Sequence, residues 1–117
     1  MSKQKAKGTW FESKVVDYLR DSLGQPIERR TLGGVNDKGD IAGVRLQDGR
    51  EIVVECKNYQ VYELKQWMRE ARREGDNAGT LGVVVFHAKG VGAEHMEDQF
   101  VLMGLREFCE IIGGEHV

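Results

Sequence analysis

Glu-x-Lys occurs three times in the chain, as Glu12-Ser13-Lys14, Glu55-Cys56-Lys57 and Glu63-Leu64-Lys65. A carboxylate and an ammonium that share a site can hold a hard cation and steady a water or a phosphate beside it. Whether a given copy can do so depends on the backbone beneath it. The first and third copies fall in segments with helical periodicity, where residues two apart point about 200° apart around the axis. They are helix surface charges unless a further contact claims one of them. The second follows the apolar run Ile52-Val53-Val54, the pattern of a strand central to a sheet, and in a strand residues i and i+2 project from one face. Glu55 and Lys57 therefore emerge together, either as a structural ion pair at a strand end or as part of a reactive site.

A second acid bears on that choice. Asp40 opens a strand predicted to pair with the one carrying Glu55, directly after a glycine-rich turn, and hairpin pairing can bring the start of one strand near the end of the next. Asp40, Glu55 and a backbone carbonyl between Glu55 and Lys57 would make an oxygen-rich site suited to Mg²⁺ or Mn²⁺. Lys57 would hold and help deprotonate a water there, or neutralise charge on a phosphate. Asp37 competes with Asp40, although its place within Asn36-Asp37-Lys38-Gly39 suits a turn. Glu12 stands three, four and seven residues before Val15, Val16 and Leu19, on the buried edge of a helix. A carboxylate there needs a partner, either Lys14 or an arginine, or the site made by Asp40 and Glu55.

The elements that position these residues follow from periodicity. Phe11, Val15, Leu19 and Leu23, with Val16, predict a helix over 9–23 stopped by Gly24. Residues 27–32 form a short strand after Pro26. Residues 40–46 and 50–57 form a hairpin connected by Gln47-Asp48-Gly49. Val61, Leu64, Met68 and Ala71 predict a second helix over 61–74 ended by Gly75. Residues 81–86 and 100–103 are strands, and Leu105, Phe108, Cys109 and Ile112 mark a closing helix before Gly113-Gly114. The order is helix, three strands, helix, two strands, helix: an α/β fold with a mixed central sheet flanked by helices.

With 117 residues, the chain is expected to be one domain spanning 1–117. The 40% hydrophobic content suffices for a modest core, and 17 basic against 19 acidic residues leave a net charge of −2. No apolar run approaches the roughly 18 residues of a membrane span, and no signal-peptide pattern opens the chain. Cys56 and Cys109 make neither a disulfide framework nor a zinc pattern. A cytoplasmic protein without an organic cofactor or membrane partner is expected.

Lys7-Gly8 with Glu12, a pair of arginines before a glycine turn, Gly39-Asp40-Ile41, and Val53-Val54-Glu55-Cys56-Lys57-Asn58 together resemble the Holliday-junction resolvases of archaeal and phage type, within the PD-(D/E)xK nuclease superfamily. The similarity runs through the second helix and the strand at 81–86, although the loop before Asp40 lacks the serine-glycine pattern of the archaeal members. The resemblance implies a restriction-endonuclease-like fold with Glu12, Asp40, Glu55 and Lys57 as the catalytic set. Asp40, Glu55 and the Cys56 carbonyl would ligate Mg²⁺, for which Mn²⁺ would substitute. Glu12 would assist at a metal or its water shell, and Lys57 would position the attacking water. It also implies a homodimer that cuts opposed strands of a four-way DNA junction, in the host cytoplasm if phage-encoded.

The basic clusters gain a use in that setting. Lys3, Lys5 and Lys7, then Arg29 and Arg30, would contact backbone phosphates. Tyr62, Gln66, Arg69 and Arg73 share a face of the second helix opposite its apolar stripe, and Gln66 occupies a position that similar nucleases keep near the scissile phosphate. Tyr62 and Trp67 are core or dimer contacts. Trp67 with Met68, and Phe108 with Ile112, are the two hydrophobic candidates for a dimer surface. His87, His95 and His116 lack metal-ligand spacing, Gly33-Gly34 and Gly113-Gly114 are too bare for phosphate loops, and Cys56 alternates away from Glu55 and Lys57 as a buried thiol. The rivals to a resolvase are a repair or restriction-type nuclease of the same fold and a non-catalytic DNA-binding module.

Overall fold

The computed structural model describes residues 2–30 and 39–113. Asp37, His116, Gly33-Gly34 and Gly114 lie outside them. Helix α1 spans Lys3–Leu23 and is followed by strands β1 (Glu28–Arg29), β2 (Ile41–Ala42) and β3 (Val53–Lys57). Helix α2 (Leu64–Asn77) leads to β4 (Gly82–Phe86), a 3₁₀ segment (Ala93–Asp98), β5 (Phe100–Leu102) and α3 (Leu105–Gly113). The sheet runs β1-β2-β3-β4-β5, antiparallel except for β3 beside β4, which are parallel and joined through α2. The mixed sheet between helices is the expected fold class. No helix among the described residues is long and apolar enough to cross a membrane.

The two sheet faces are covered separately. On one, Val54 and Val83 pack with Phe11, Val15 and Val16 of α1, with Ile27 and Ile41 beside them. On the other, Val84 and Phe86 pack on Trp67 and Ala71 of α2. The parallel register sets Glu55 beside Val84 and Lys57 beside Phe86. Strand β3 thus turns Glu55 and Lys57 toward the α2 face, while Cys56 packs with the α1 cluster, the alternation that the sequence predicts.

The strands expected over 27–32, 40–46 and 50–57 are shorter, at Glu28–Arg29, Ile41–Ala42 and Val53–Lys57, and helix boundaries differ as well. Helix α1 starts at Lys3 instead of residue 9, because the Ser2 side chain accepts from Lys5 N at 3.1 Å and caps the first turn. The basic arm is therefore helical. Helix α2 starts three residues later than 61 and runs through Gly75. A Cβ at Gly75 would stand 2.6 Å from Gly82 N and 2.7 Å from Leu81 C, so this glycine permits the helix to lie against the next strand instead of ending it. Its buried stripe is Trp67, Ala71, Glu74 and Gly75. Val61 precedes the helix and is 71% exposed, and Leu64 is exposed as well. Trp67 belongs to the core, which removes the Trp67–Met68 dimer candidate.

Helix α3 forms as expected, but its periodicity points outward. Leu105, Phe108 and Ile112 are exposed, at 78%, 50% and 71%. Its buried residues are Glu107 and Glu110. Arg72 closes a bidentate pair with Glu107 at 2.6 and 2.9 Å, and Arg106 adds a contact at 3.3 Å. Arg50 reaches Glu110 at 2.8 Å. Guanidinium–carboxylate pairing, together with Ile111 packed against the α1-side core, docks this helix.

Candidate active site

The hairpin closes as the sequence predicts. Leu46 N donates to Arg50 O, and Gly49 N to Leu46 O, at 2.9 Å each. Further along, Gly39 has φ of +92°, and a Cβ there would stand 2.9 Å from both Val53 Cγ1 and Val54 O. Only glycine brings the chain this close to β3, and it delivers the next residue onto that strand. Asp40 N donates to Val54 O at 2.9 Å, while Asp40 O accepts from Arg30 N at 2.8 Å. The Asp40 carboxylate accepts from Cys56 N at 2.7 Å. Main-chain bonds to Val54 and Arg30 and the carboxylate's bond to Cys56 N thus fix this acid beside the strand segment that carries Glu55 and Lys57.

Glu12, Asp40, Glu55, Cys56 and Lys57 line one cleft of about 570 Å³ at that end of the sheet. They come from α1, the β1–β2 connection and β3, so the fold gathers residues 45 positions apart. Glu55 is 6% exposed. Glu12 faces the cleft and also binds Arg29 (Oε1 to Nε, 3.2 Å), which joins the two alternatives that the sequence leaves open for it.

Electrostatics separate the roles. Burial acts to lower the pKa of the Lys57 ammonium, but a 3.2 Å hydrogen bond to Glu70 and the charges of Glu70 and Glu55 outweigh it and hold the group above the ordinary lysine value. Lys57 is a fixed cation near neutral pH. Burial, reinforced by the charges of Asp40, Glu12 and Glu55, pushes the Cys56 thiol well above its usual range. That thiol stays protonated and offers neither a nucleophile nor a soft ligand. The carboxylates of Glu12, Asp40 and Glu55 line the cleft as oxygen donors, the kind that hard divalent cations take.

The basic residues divide among three situations. Lys5, Arg29 and Arg30 line the same cleft as the acids, with Arg30 also paired to Glu51 at 2.9 Å. Lys3, Lys7 and Gln66 line a neighbouring cleft that shares Lys57 and Tyr59 with the first. Arg69 and Arg73 are exposed on α2 and line neither. Sequence reasoning gave no role to Gln4, Asn58 or Glu70. Gln4 Nε2 donates to Asn58 O at 2.9 Å and Asn58 Nδ2 to Lys7 O at 3.3 Å, which ties the start of α1 to the end of β3. Asn58 closes the Val53–Asn58 motif, so its adjacency to Lys57 was a usable signal. Glu70 had none, since its pairing crosses two elements.

Among the described residues, the group of three ligand-type side chains whose donor atoms lie within 4.8 Å of one another is His95, Glu97 and Asp98. All three are exposed and none lines the cleft. Residues 3–113 match the family model described as "Phage putative PDDEXK endonuclease". No curated protein and no solved structure matches the chain.

Proposed function

The chain belongs to the phage PDDEXK endonuclease family, and we propose on that premise that it is a Mg²⁺-dependent, structure-selective DNA endonuclease that acts as a Holliday-junction resolvase. The observation that most supports the reading is the gathering of Glu12, Asp40, Glu55 and Lys57 from three elements into one cleft. The reaction is hydrolysis: a water oxygen bonds to phosphorus, a phosphodiester P–O bond breaks, and the proton of water ends on the leaving alkoxide or on solvent.

Asp40, Glu55 and the Cys56 carbonyl would hold Mg²⁺, or Mn²⁺ in its place, which when bound makes water more acidic and offsets charge on the phosphate. Lys57, kept cationic by Glu70, donates to a phosphate oxygen and stabilises the charge that grows there. Arg29 and Lys5 line the same cleft and bind flanking phosphates. Glu12 holds Arg29 through the 3.2 Å pair and so orients a phosphate contact from the acidic side.

Two opposed nicks require two sites, and the reading includes a homodimer. Its surface is the outward stripe of α3 with Phe100 and Val101 of β5, the terminal strand of the sheet. Leu105, Phe108, Ile112, Phe100 and Val101 are each at least half exposed. Taking about 200 Å² per large side chain, they present roughly 600 Å² of apolar surface, close to one partner's share of a standard interface. A second copy offers the same patch and the same terminal strand, which suits a two-fold contact. Phe108→Glu is expected to convert a dimer into a monomer in light scattering; an unchanged mass would exclude this surface.

A substrate panel tests the specificity. A four-way junction, a linear duplex of the same arms, a flap and a single strand are each incubated with Mg²⁺. Paired symmetric nicks in the junction, far faster than any cut elsewhere, are expected. Equal cutting of duplex or flap would keep the nuclease and discard the resolvase. Tight binding with no cutting would leave a DNA-binding module.

A further inference from the structure

A third cleft, of about 700 Å³, adjoins the catalytic one and is lined by Trp10, Tyr59, Val61, His87, Lys7 and Lys89 among others. Tyr59 lines this cleft and both of those described above, so the three meet at a residue two positions beyond Lys57. Trp10 and Tyr59 remain 41% and 44% exposed, although each large ring would gain from burial. The frame around them is fixed. His87 Nδ1 lies 3.0 Å from Asn58 Oδ1 and its Nε2 lies 2.7 Å from Val91 O. Tyr62 accepts from Lys89 N at 2.8 Å, and Lys89 Nζ sits 5.0 Å over the Tyr62 ring. Trp10 packs edge-on against His87, with centroids 6.1 Å apart. Among the described residues that line it, the full charges are Lys7 and Lys89, and no carboxylate is present.

We propose that the cleft between Trp10 and Tyr59 binds an unstacked nucleobase of the DNA strand whose phosphate lies at Lys57, a proposal that rests on the nuclease reading. Aromatic faces offer stacking to any base, and a cationic rim without acids takes the adjoining phosphates. Continuity through Tyr59 places the base next to the reacting bond, where a branched or unpaired substrate exposes one and a paired duplex does not.

The chain has two tryptophans; Trp67 is 4% exposed but lines the second cleft, so the part of a quench that disappears in Trp10→Phe reports Trp10. Titration in EDTA with a single-stranded oligonucleotide and with its paired duplex is expected to quench emission with the single strand alone. Trp10→Ala is expected to weaken single-strand binding about tenfold, with duplex affinity unchanged. Trp10→Phe is expected to restore affinity while abolishing that part of the quench, which separates lost stacking from misfolding. Equal affinity of wild type, Trp10→Ala and Tyr59→Ala for the single strand, or equal quenching by duplex, would overturn the proposal and leave the cleft to a protein ligand. The quench appears without metal, so it stands apart from cleavage. A quench without cutting of any DNA in Mg²⁺ or Mn²⁺ would sink the nuclease reading and keep a base-binding cleft.

Discussion

Glu55 and Glu107 are both buried glutamates with cations nearby, at 6% and 1% exposure, and they are surrounded in opposite ways. Both oxygens of Glu107 are taken by Arg72, with Arg106 added. Its pairs replace water and leave no place for a ligand. Glu55 lines an open cleft with Glu12 and Asp40, where the neighbouring lysine donates to Glu70. A carboxylate whose partners are guanidinium groups on its own fold is a means of docking a helix. Acids gathered into a solvent-open cleft, with Lys5, Arg29 and Arg30 on the same walls, leave room for a ligand that the closed Glu107 pair does not.

The contrast can be broken from either side. Asp40→Asn carries the largest expected effect: it removes a charge from the cleft while retaining an acceptor for Cys56 N. Cleavage is expected to fall about a thousandfold or more, roughly 4 kcal/mol, with DNA binding kept in a gel-shift assay. Wild-type turnover would take Asp40 out of the site.

Glu107→Ala should do the reverse. Breaking a fully buried pair costs about 3–5 kcal/mol, but Arg72 and Arg106 are 38% and 37% exposed and can turn to water, so about 2 kcal/mol is expected in denaturant melts. Cleavage per folded molecule should not change. Acid should expose the same pair. Burial alone would raise the Glu107 pKa, but its bonds to Arg72 hold it below the ordinary 4.5. A depressed pKa stabilises the fold above the unfolded-state value and loses that contribution as pH falls through the folded one. The stability gap between wild type and Glu107→Gln is therefore expected to be widest near neutrality and to close below about pH 4.5. A gap that widens in acid would contradict the pairing.

Glu70→Gln has the smallest effect and sharpens the comparison. It removes the charge that holds Lys57 cationic and in place. About a tenfold loss of kcat, with an apparent basic limb of the pH–rate profile moved to lower pH, is expected. A loss with an unmoved profile would make Glu70 only structural.

Much of the site was legible because it depends on strand geometry. Glu55 and Lys57 had to share a face, and a hairpin with a glycine before Asp40 had to bring that acid onto the neighbouring strand. Orientation of the helices was less accessible. Periodicity in α3 marks an apolar side but not whether that side turns inward, and the deciding partners, Arg50 and Arg72, are 60 and 35 residues from Glu110 and Glu107. In α2 the apolar stripe through Val61 and the one through Trp67 were both available. Closure of Gly75 on Gly82 favours the second, and no local pattern shows that contact. Ser2 capping was readable in principle, since Ser-x-x at a helix start is a local signal.

Cleavage of labelled branched DNA by the wild type and by Glu55→Gln, each in Mg²⁺ and in EDTA, tests the central claim most directly. Metal-dependent cutting by the wild type, with the variant folded, binding DNA and inactive, is the predicted result. Cutting that persists in EDTA, or an active Glu55→Gln protein, would contradict it.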